Sequence, residues 1–156
     1  MIAFELWHMV RAQDWAVQTM IRGVPETMTE PRWKGRLGNL ATVGVGVGLS
    51  QADADALGRM LPRQDVLDYG DEVLSRILSW LSNIDESALE EIPDVTAHVA
   101  PYPVYHEERG TLAPWTFEGV PAWQFLTRAC IGHAFGHLTT IDILKEQFRQ
   151  QADRTT

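Results

Sequence analysis

The segment from Ile2 to Arg22 contains neither proline nor glycine, and apolar side chains occupy most of its helical circumference. Its polar residues Arg11, Asp14, Gln18 and Arg22 recur at spacings of three and four, which predicts a single narrow polar stripe on a helix. The other faces are apolar and must be covered on more than one side. A helix of this kind belongs inside a helical bundle.

Two further long helices are predicted, one over about 65–84 and one over about 121–150. The apolar positions of the first follow the 3.6-residue period, and the second begins with a proline, which suits the first turn of a helix. Ser50 precedes an acidic residue at position 53, and this arrangement predicts the N-terminal cap of a shorter helix.

Proline and glycine are concentrated in two connecting segments, 23–50 and 93–119, which are predicted to have little regular structure. No strand pattern longer than a short glycine alternation is present. The predicted fold is therefore all-α, a helical bundle with long crossing loops. We expect one domain over 1–150 and a frayed tail over 151–156.

The composition limits the classes of partner. The chain of 156 residues has a formal net charge of -8, which argues against nucleic acid or an anionic membrane surface as the main partner. Its single cysteine, Cys130, excludes an intramolecular disulfide framework and suits a reducing compartment. No apolar stretch is long enough to span a bilayer, and the N-terminus lacks the basic and then apolar residues of a signal peptide. We therefore expect a cytoplasmic protein.

The strongest chemical pattern is the pair His133 and His137 in the last predicted helix. Residues four apart lie on the same helical face, so both imidazoles can point at one cation, and the face is the inward, apolar one. The alternative interpretation is a pair of hydrogen-bonded core histidines. The zinc-protease form of this pattern is excluded, because it requires glutamate where Ala134 follows His133.

A third histidine, His8, lies on the face of the first helix that also carries Phe4, Ala12 and Trp15. In a crossed or antiparallel helix pair this face can approach the other two histidines. Three imidazoles from two helices leave one or more metal positions open for water or substrate. This layout is typical of catalytic rather than structural metal centres.

Residues 6–15, LWHMVRAQDW, resemble the ligand-bearing helix of the DinB-like superfamily of four-helix bundles. Residues 131–138, IGHAFGHL, resemble the histidine-pair helix of the same superfamily, which includes bacillithiol S-transferases and mycothiol-dependent maleylpyruvate isomerase. The resemblance implies that His8, His133 and His137 coordinate a divalent metal such as Zn or Ni. It also implies a low-molecular-weight thiol as a possible cofactor and a small molecule as substrate.

The resemblance has one departure at the start of the chain. Members of the superfamily usually have a complete helix before the one that carries the first histidine, whereas here only seven residues precede His8. Either the chain begins late or another element completes the bundle. We therefore predict a homodimer in which a partner surface takes the place of the missing helix.

Three more residues are candidates for the site. Arg11, one turn after His8, is placed to hold an anionic substrate group, but solvent exposure or pairing with Asp14 is favoured. Glu5 is either a hydrogen-bond acceptor or proton carrier beside the metal or a surface carboxylate near the helix N-terminus. Cys130 either borders the site or, as favoured, is a buried inert thiol.

The connecting segments hold weaker candidates. His98 and His106 are typical of solvated loop histidines and are left out of the site. Trp115 and Trp123 are candidates for the wall of an apolar pocket. The glycine alternation at 44–48 lacks the lysine and the serine or threonine of a phosphate-binding loop, so it predicts a flexible connection.

Two functions from different classes follow. The first is a metal-dependent thiol S-transferase or hydrolase in which the three histidines hold a cation that activates a thiol or water. The second is a non-catalytic dimeric helical protein whose metal is structural or incidental and which binds a ligand or partner. Open coordination positions favour the first function, and a fourth protein ligand would favour the second.

Overall fold

The computed structural model describes residues 2–38, 40–105 and 118–154, and every regular element within these ranges is helical, which confirms the all-α fold. The α-helices are α1 (Ile2–Asp14), α2 (Pro31–Leu37), α3 (Gln51–Met60), α4 (Arg63–Leu81), α5 (Val95–Val99), α6 (Ala122–Phe125) and α7 (Ala134–Asp153). Wider π-helical turns continue α1 over Trp15–Ile21 and join α6 to α7 over Leu126–His133. Short 3-10 helices lie at Thr27–Thr29, Leu40–Val43, Glu86–Leu89 and Pro103–Tyr105.

The three long helices predicted from the sequence are present with slightly different ends. α4 begins two residues before the predicted start, and α7 extends to Asp153. The predicted cap of α3 is also present, because Ser50 Oγ accepts a hydrogen bond from the backbone N–H of Asp53 at 3.2 Å. No helix in the described ranges is long and apolar enough to cross a bilayer.

α1 lies at the centre of the packing and contacts α3, α4 and α7. One core cluster gathers around Trp7 and Val17 of the first helix with Tyr69 and Val73 of α4. A second cluster gathers around Trp15, Ala16 and Met20, and it includes Val95, Val99 and Phe125 from later helices. The first helix is thus covered on more than one face, as its apolar circumference predicts.

The polar stripe of the first helix is mostly buried. Arg11, Asp14 and Gln18 are each at most 2% exposed, and only Arg22 at the end of the stripe is exposed. The chain that follows the helix folds back over the stripe and supplies its polar partners, including the carboxylate of Glu26. A narrow polar stripe in this helix therefore marks a buried hydrogen-bond network rather than a solvated face.

Two short helices, α2 and α5, lie in connections that were predicted to have little regular structure, and that prediction is wrong for both. α2 begins at Pro31 and buries Trp33 and Leu37. α5 is capped by the Asp94 side chain and buries two valines against the second core cluster. Each helix is too short for a hydrophobic period to be visible in the sequence, so tertiary packing decides the local structure.

Candidate metal centre

Three imidazole rings meet between α1 and the start of α7. Nε2 of His133 lies 3.2 Å from Nε2 of His8 and 3.0 Å from Nε2 of His137, and the three candidate ligand atoms all lie within 4.8 Å of one another. Ligand nitrogens at the usual Zn–N distance in a tetrahedron are about 3.3 Å apart. The three histidines are therefore close enough to hold one metal ion.

Helix geometry brings the rings together. His133 ends the π-helical segment and His137 lies one turn later in α7, so both project toward α1, which packs against this helix. His8 is 8% exposed, and the ring of Phe4 stacks on it with centroids 5.8 Å apart and planes 8° from parallel. The neighbouring aromatic ring limits the orientations that His8 can adopt.

The outer nitrogens of two rings are fixed by hydrogen bonds. Nδ1 of His8 donates to the backbone carbonyl of Val45 at 2.5 Å, and Nδ1 of His137 donates to Glu5 Oε2 at 2.6 Å. A carbonyl and a carboxylate only accept, so each of these two Nδ1 atoms carries a proton. The lone pair on each Nε2 is then directed at the shared point, as in histidines that bind metals.

The outer nitrogen of the third ring is not fixed in this way. Nδ1 of His133 is buried and has no hydrogen-bond partner in the described part of the protein. Burial, together with the charges of His137 and His8, lowers the pKa of His133 to about 4, and burial also lowers the pKa of His8. Both imidazoles are neutral near pH 7, which is the protonation state that binds a metal. The donor set therefore fits a divalent cation.

The group of candidate ligand atoms comes from three side chains. Within the described ranges no further histidine, cysteine, aspartate or glutamate joins the group of three ligand atoms. Glu5 lies outside the group and accepts from His137. His133 and His137 are partly exposed, and the side chain of His137 is 22% exposed. Three ligands with an accessible side leave room for water or a small molecule.

Arg11 lies one turn from His8 but faces away from solvent. Its side chain is fully buried, and Nη1 lies 2.7 Å from Glu26 and 3.5 Å from Asp14. Nε and Nη2 both donate to the carbonyl of Gly44, at 3.2 and 3.1 Å. Of the two favoured alternatives, the pairing with Asp14 is present and solvent exposure is not, and no atom of Arg11 is left exposed for an anionic substrate.

The glycine alternation at 44–48 is better described as a docked segment than as a flexible connection. The adjacent carbonyls of Gly44 and Val45 accept hydrogen bonds from Arg11 and His8, so α1 holds this segment at two points. Gly46 has a φ of +87°, and an added Cβ there would lie 2.9 Å from the ring of Trp7. Only glycine fits this position without displacing the core.

Several residues of the network around the centre escaped sequence reasoning. Glu26 accepts from Tyr105 Oη at 2.5 Å and from Thr19 Oγ1 at 3.2 Å, in addition to pairing with Arg11. Tyr69 Oη donates to Asp14 at 2.7 Å. These partners come from separate elements of the chain and follow no periodic pattern. One sequence feature indicates that such partners exist. The polar stripe of the first helix is surrounded by apolar residues, so its charged side chains need buried partners.

The weaker candidates lie apart from the three ligands. Cys130 is partly buried, burial raises its pKa to about 11, and it does not belong to the ligand group, in agreement with an inert thiol. Nδ1 of His98 lies 2.9 Å from the carbonyl of Met20, so this ring ties α5 to the end of the first helix. Trp123 is 41% exposed. The candidates His106 and Trp115 lie outside the described residues.

Comparison with protein-family models, with curated proteins and with solved structures finds no match to this chain. The resemblance to the DinB-like superfamily therefore stays a prediction that rests on the two histidine-bearing segments. The arrangement of His8, His133 and His137 rests on the geometry alone.

Proposed function

We propose that the protein is a divalent-metal-dependent enzyme of the DinB-like type, a thiol S-transferase or hydrolase that acts on a small molecule. The observation that carries the proposal is the convergence of three imidazole Nε2 atoms, from His8, His133 and His137, at one partly accessible point. Neutral nitrogen ligands of this kind favour Zn or Ni, which we propose as the metal.

Hydrogen bonds and burial favour metal binding by the three histidines. The Val45 carbonyl and the Glu5 carboxylate hold two of the rings by their outer nitrogens, so little reorganisation is needed when a cation binds. Burial keeps His8 and His133 neutral, so no proton has to leave them near pH 7. The chemistry that a divalent cation supplies here is Lewis acidity, which lowers the pKa of a thiol or water that binds to it.

The proposed substrate is a small electrophile, with a low-molecular-weight thiol as cofactor in the transferase reaction. The absence of a fourth protein ligand within the described ranges supports a reactive rather than a structural centre. The partial exposure of His133 and His137 supports access by a small molecule rather than a polymer.

Metal content tests the ligand assignment. Protein purified without an affinity tag is expected to contain about one equivalent of divalent metal per chain, and His133→Ala is expected to lose most of it. His98→Ala is the matched control, because His98 lies against the first helix away from the three ligands. Equal metal content in the two variants would show that the three histidines do not bind the metal.

Turnover tests the reaction. Protein loaded with Zn or Ni is assayed with low-molecular-weight thiols and a chromogenic electrophile, and separately with a chromogenic ester and no thiol. Thiol-dependent product formation that is lost in His133→Ala supports a transferase, and thiol-independent hydrolysis that is lost in the same variant supports a hydrolase. Stoichiometric metal binding without turnover in either assay would favour the non-catalytic alternative.

A further inference from the structure

A surface cavity of about 660 Å³, widely open to solvent, lies between the π-helical end of the first helix and the second half of α4 with the residues just after it. Gln18 is the lining residue nearest to His8 in the sequence, and ten residues, or roughly 15 Å of helix, separate the two, so the cavity is distinct from the metal centre. Its lining includes two arginines, Arg22 and Arg76, and no aspartate or glutamate. The lining therefore carries arginine without carboxylate in a chain whose formal net charge is -8.

Arg22 is the arginine whose charge is not neutralised. Within the described ranges no carboxylate pairs with it, and the one hydrogen bond of its side chain there is donated by Nη1 to Gln18 Oε1. Its guanidinium lies over the ring of Trp80, 5.7 Å from the centroid, which holds it in place. Partial burial and the charge of Arg76 lower the pKa of Arg22. An arginine has five N–H donors, so most donors of Arg22 remain available.

Arg76 is held firmly at the opposite side of the cavity. Nη1 pairs with Glu30 at 2.6 Å, and Nη2 pairs with Glu72 at 2.7 Å. Neither carboxylate lines the cavity. The ion pairs therefore fix the position of Arg76, and the attraction for an anion in the cavity comes mainly from Arg22.

The remaining lining residues offer both polar and apolar contacts. Gln18 is the one buried residue of the lining, and its amide Nε2 has no hydrogen-bond partner in the described part of the chain. Ser79 on α4 and Asn83 just after its end add polar groups, whereas Trp80 and Pro25 add apolar surface. Ligand cavities of about 300–1,000 Å³ commonly combine apolar walls with a few such polar groups.

We propose that this cavity binds a small organic anion, in which a carboxylate or phosphate group is held by Arg22 and an apolar group packs beside Trp80. Arg22 provides several N–H donors in one plane, which matches the planar array of acceptors in these oxyanions. The ligand site is independent of the proposed metal chemistry, because it shares no residue with the three histidines.

Titration calorimetry tests the site with four probes: inorganic phosphate, phenyl phosphate, benzoate and the neutral benzamide. Phenyl phosphate or benzoate is expected to bind the full chain, and Arg22→Gln is expected to weaken that binding by about tenfold or more, the usual effect of losing a charge-assisted hydrogen bond. Arg59→Gln makes the same change of charge at an exposed arginine on α3 and is expected to leave the affinity unchanged.

A second variant, Ser79→Trp, fills the cavity and keeps Arg22. It is expected to abolish binding while the circular dichroism spectrum stays unchanged, because Ser79 is exposed. Preference for phenyl phosphate over benzoate identifies a phosphate ligand, and the reverse preference identifies a carboxylate. No binding up to about 10 mM probe, equal weakening by Arg22→Gln and Arg59→Gln, or benzamide binding as tight as benzoate binding would each overturn the proposal.

Discussion

Glu5 fixes a proposed metal ligand without belonging to the ligand set. Its Oε2 accepts from His137 Nδ1 at 2.6 Å, which holds the tautomer and the ring orientation that Nε2 needs. We expect Glu5→Gln to weaken metal binding by about 10–100-fold, measured by competition with a chromogenic chelator. Glu86→Gln, at an exposed carboxylate of the 86–89 helix, is the control, and equal affinities in the two variants would contradict this role.

The thiol of Cys130 is expected to react slowly in the folded protein. Burial raises its pKa to about 11, so at pH 8 the thiolate fraction is roughly two orders of magnitude below that of an exposed cysteine. Alkylation by iodoacetamide, followed by mass spectrometry, should be slow at pH 8 and should become fast on unfolding in guanidinium. Rapid alkylation of the native protein would mean that the thiol is accessible and activated.

At the level of single residues, the sequence predicts those site residues whose positions follow a helical spacing. The pair His133 and His137 is visible because residues four apart share a face, and His8 is visible because it lies on an inward face of another helix. The carbonyl of Val45 and the carboxylate of Glu26 follow no such rule. Their positions depend on how the connecting segment packs against α1, which local sequence does not encode.

Among the elements, the segment that follows the first helix supplies the Glu26 carboxylate, which pairs with the buried Arg11 of that helix. Replacing Arg11 by methionine leaves the carboxylates of Asp14 and Glu26 buried without their cation, and we expect a loss of about 3–5 kcal/mol in the free energy of unfolding. Urea denaturation measures this loss. The double variant Arg11→Met/Glu26→Gln should recover a substantial part of it, because one buried charge is also removed. A double variant no more stable than Arg11→Met would contradict the pairing.

The docked segment at 44–48 gives a second test at the scale of elements. Gly46→Ala places a Cβ 2.9 Å from the fully buried ring of Trp7 and keeps a φ of +87°, so we expect a loss of about 2–4 kcal/mol in stability. Gly119→Ala shares a positive φ but has open space around the new Cβ, and it should lose only about 1 kcal/mol. Similar losses in the two variants would show that the contact with Trp7 is unimportant.

The sequence predicts the long helices well because their apolar residues repeat over many turns. α2, α5 and the π-helical turns at 15–21 and 126–133 were not predicted. Each short helix has only two buried apolar residues, and a π turn changes the residue spacing without a composition signal of its own. α2 packs against α4, and α5 packs against the π-helical segment 15–21, so both become visible only when the fold is known.

In the whole molecule, the first helix carries residues of both the proposed metal centre and the proposed anion-binding cavity. Its N-terminal half carries His8 and Glu5, its middle carries the buried network of Arg11 and Asp14, and its far end carries Arg22 beside the cavity. The buried network lies between the two regions and ties two parts of the 23–50 connection to the helix, one at 26–27 and one at Gly44.

The homodimer stays a prediction, and the surface of the last long helix indicates where to test it. Ile131, Phe135 and Leu138 are 65%, 72% and 49% exposed and recur at spacings of four and three, so they form one apolar stripe. Light scattering at micromolar concentration is expected to give the mass of a dimer, and Phe135→Glu is expected to give a monomer, because a carboxylate would be buried in the interface. Gln147→Glu adds the same charge elsewhere on α7 and should remain dimeric. A wild-type protein that is monomeric under these conditions would exclude the dimer.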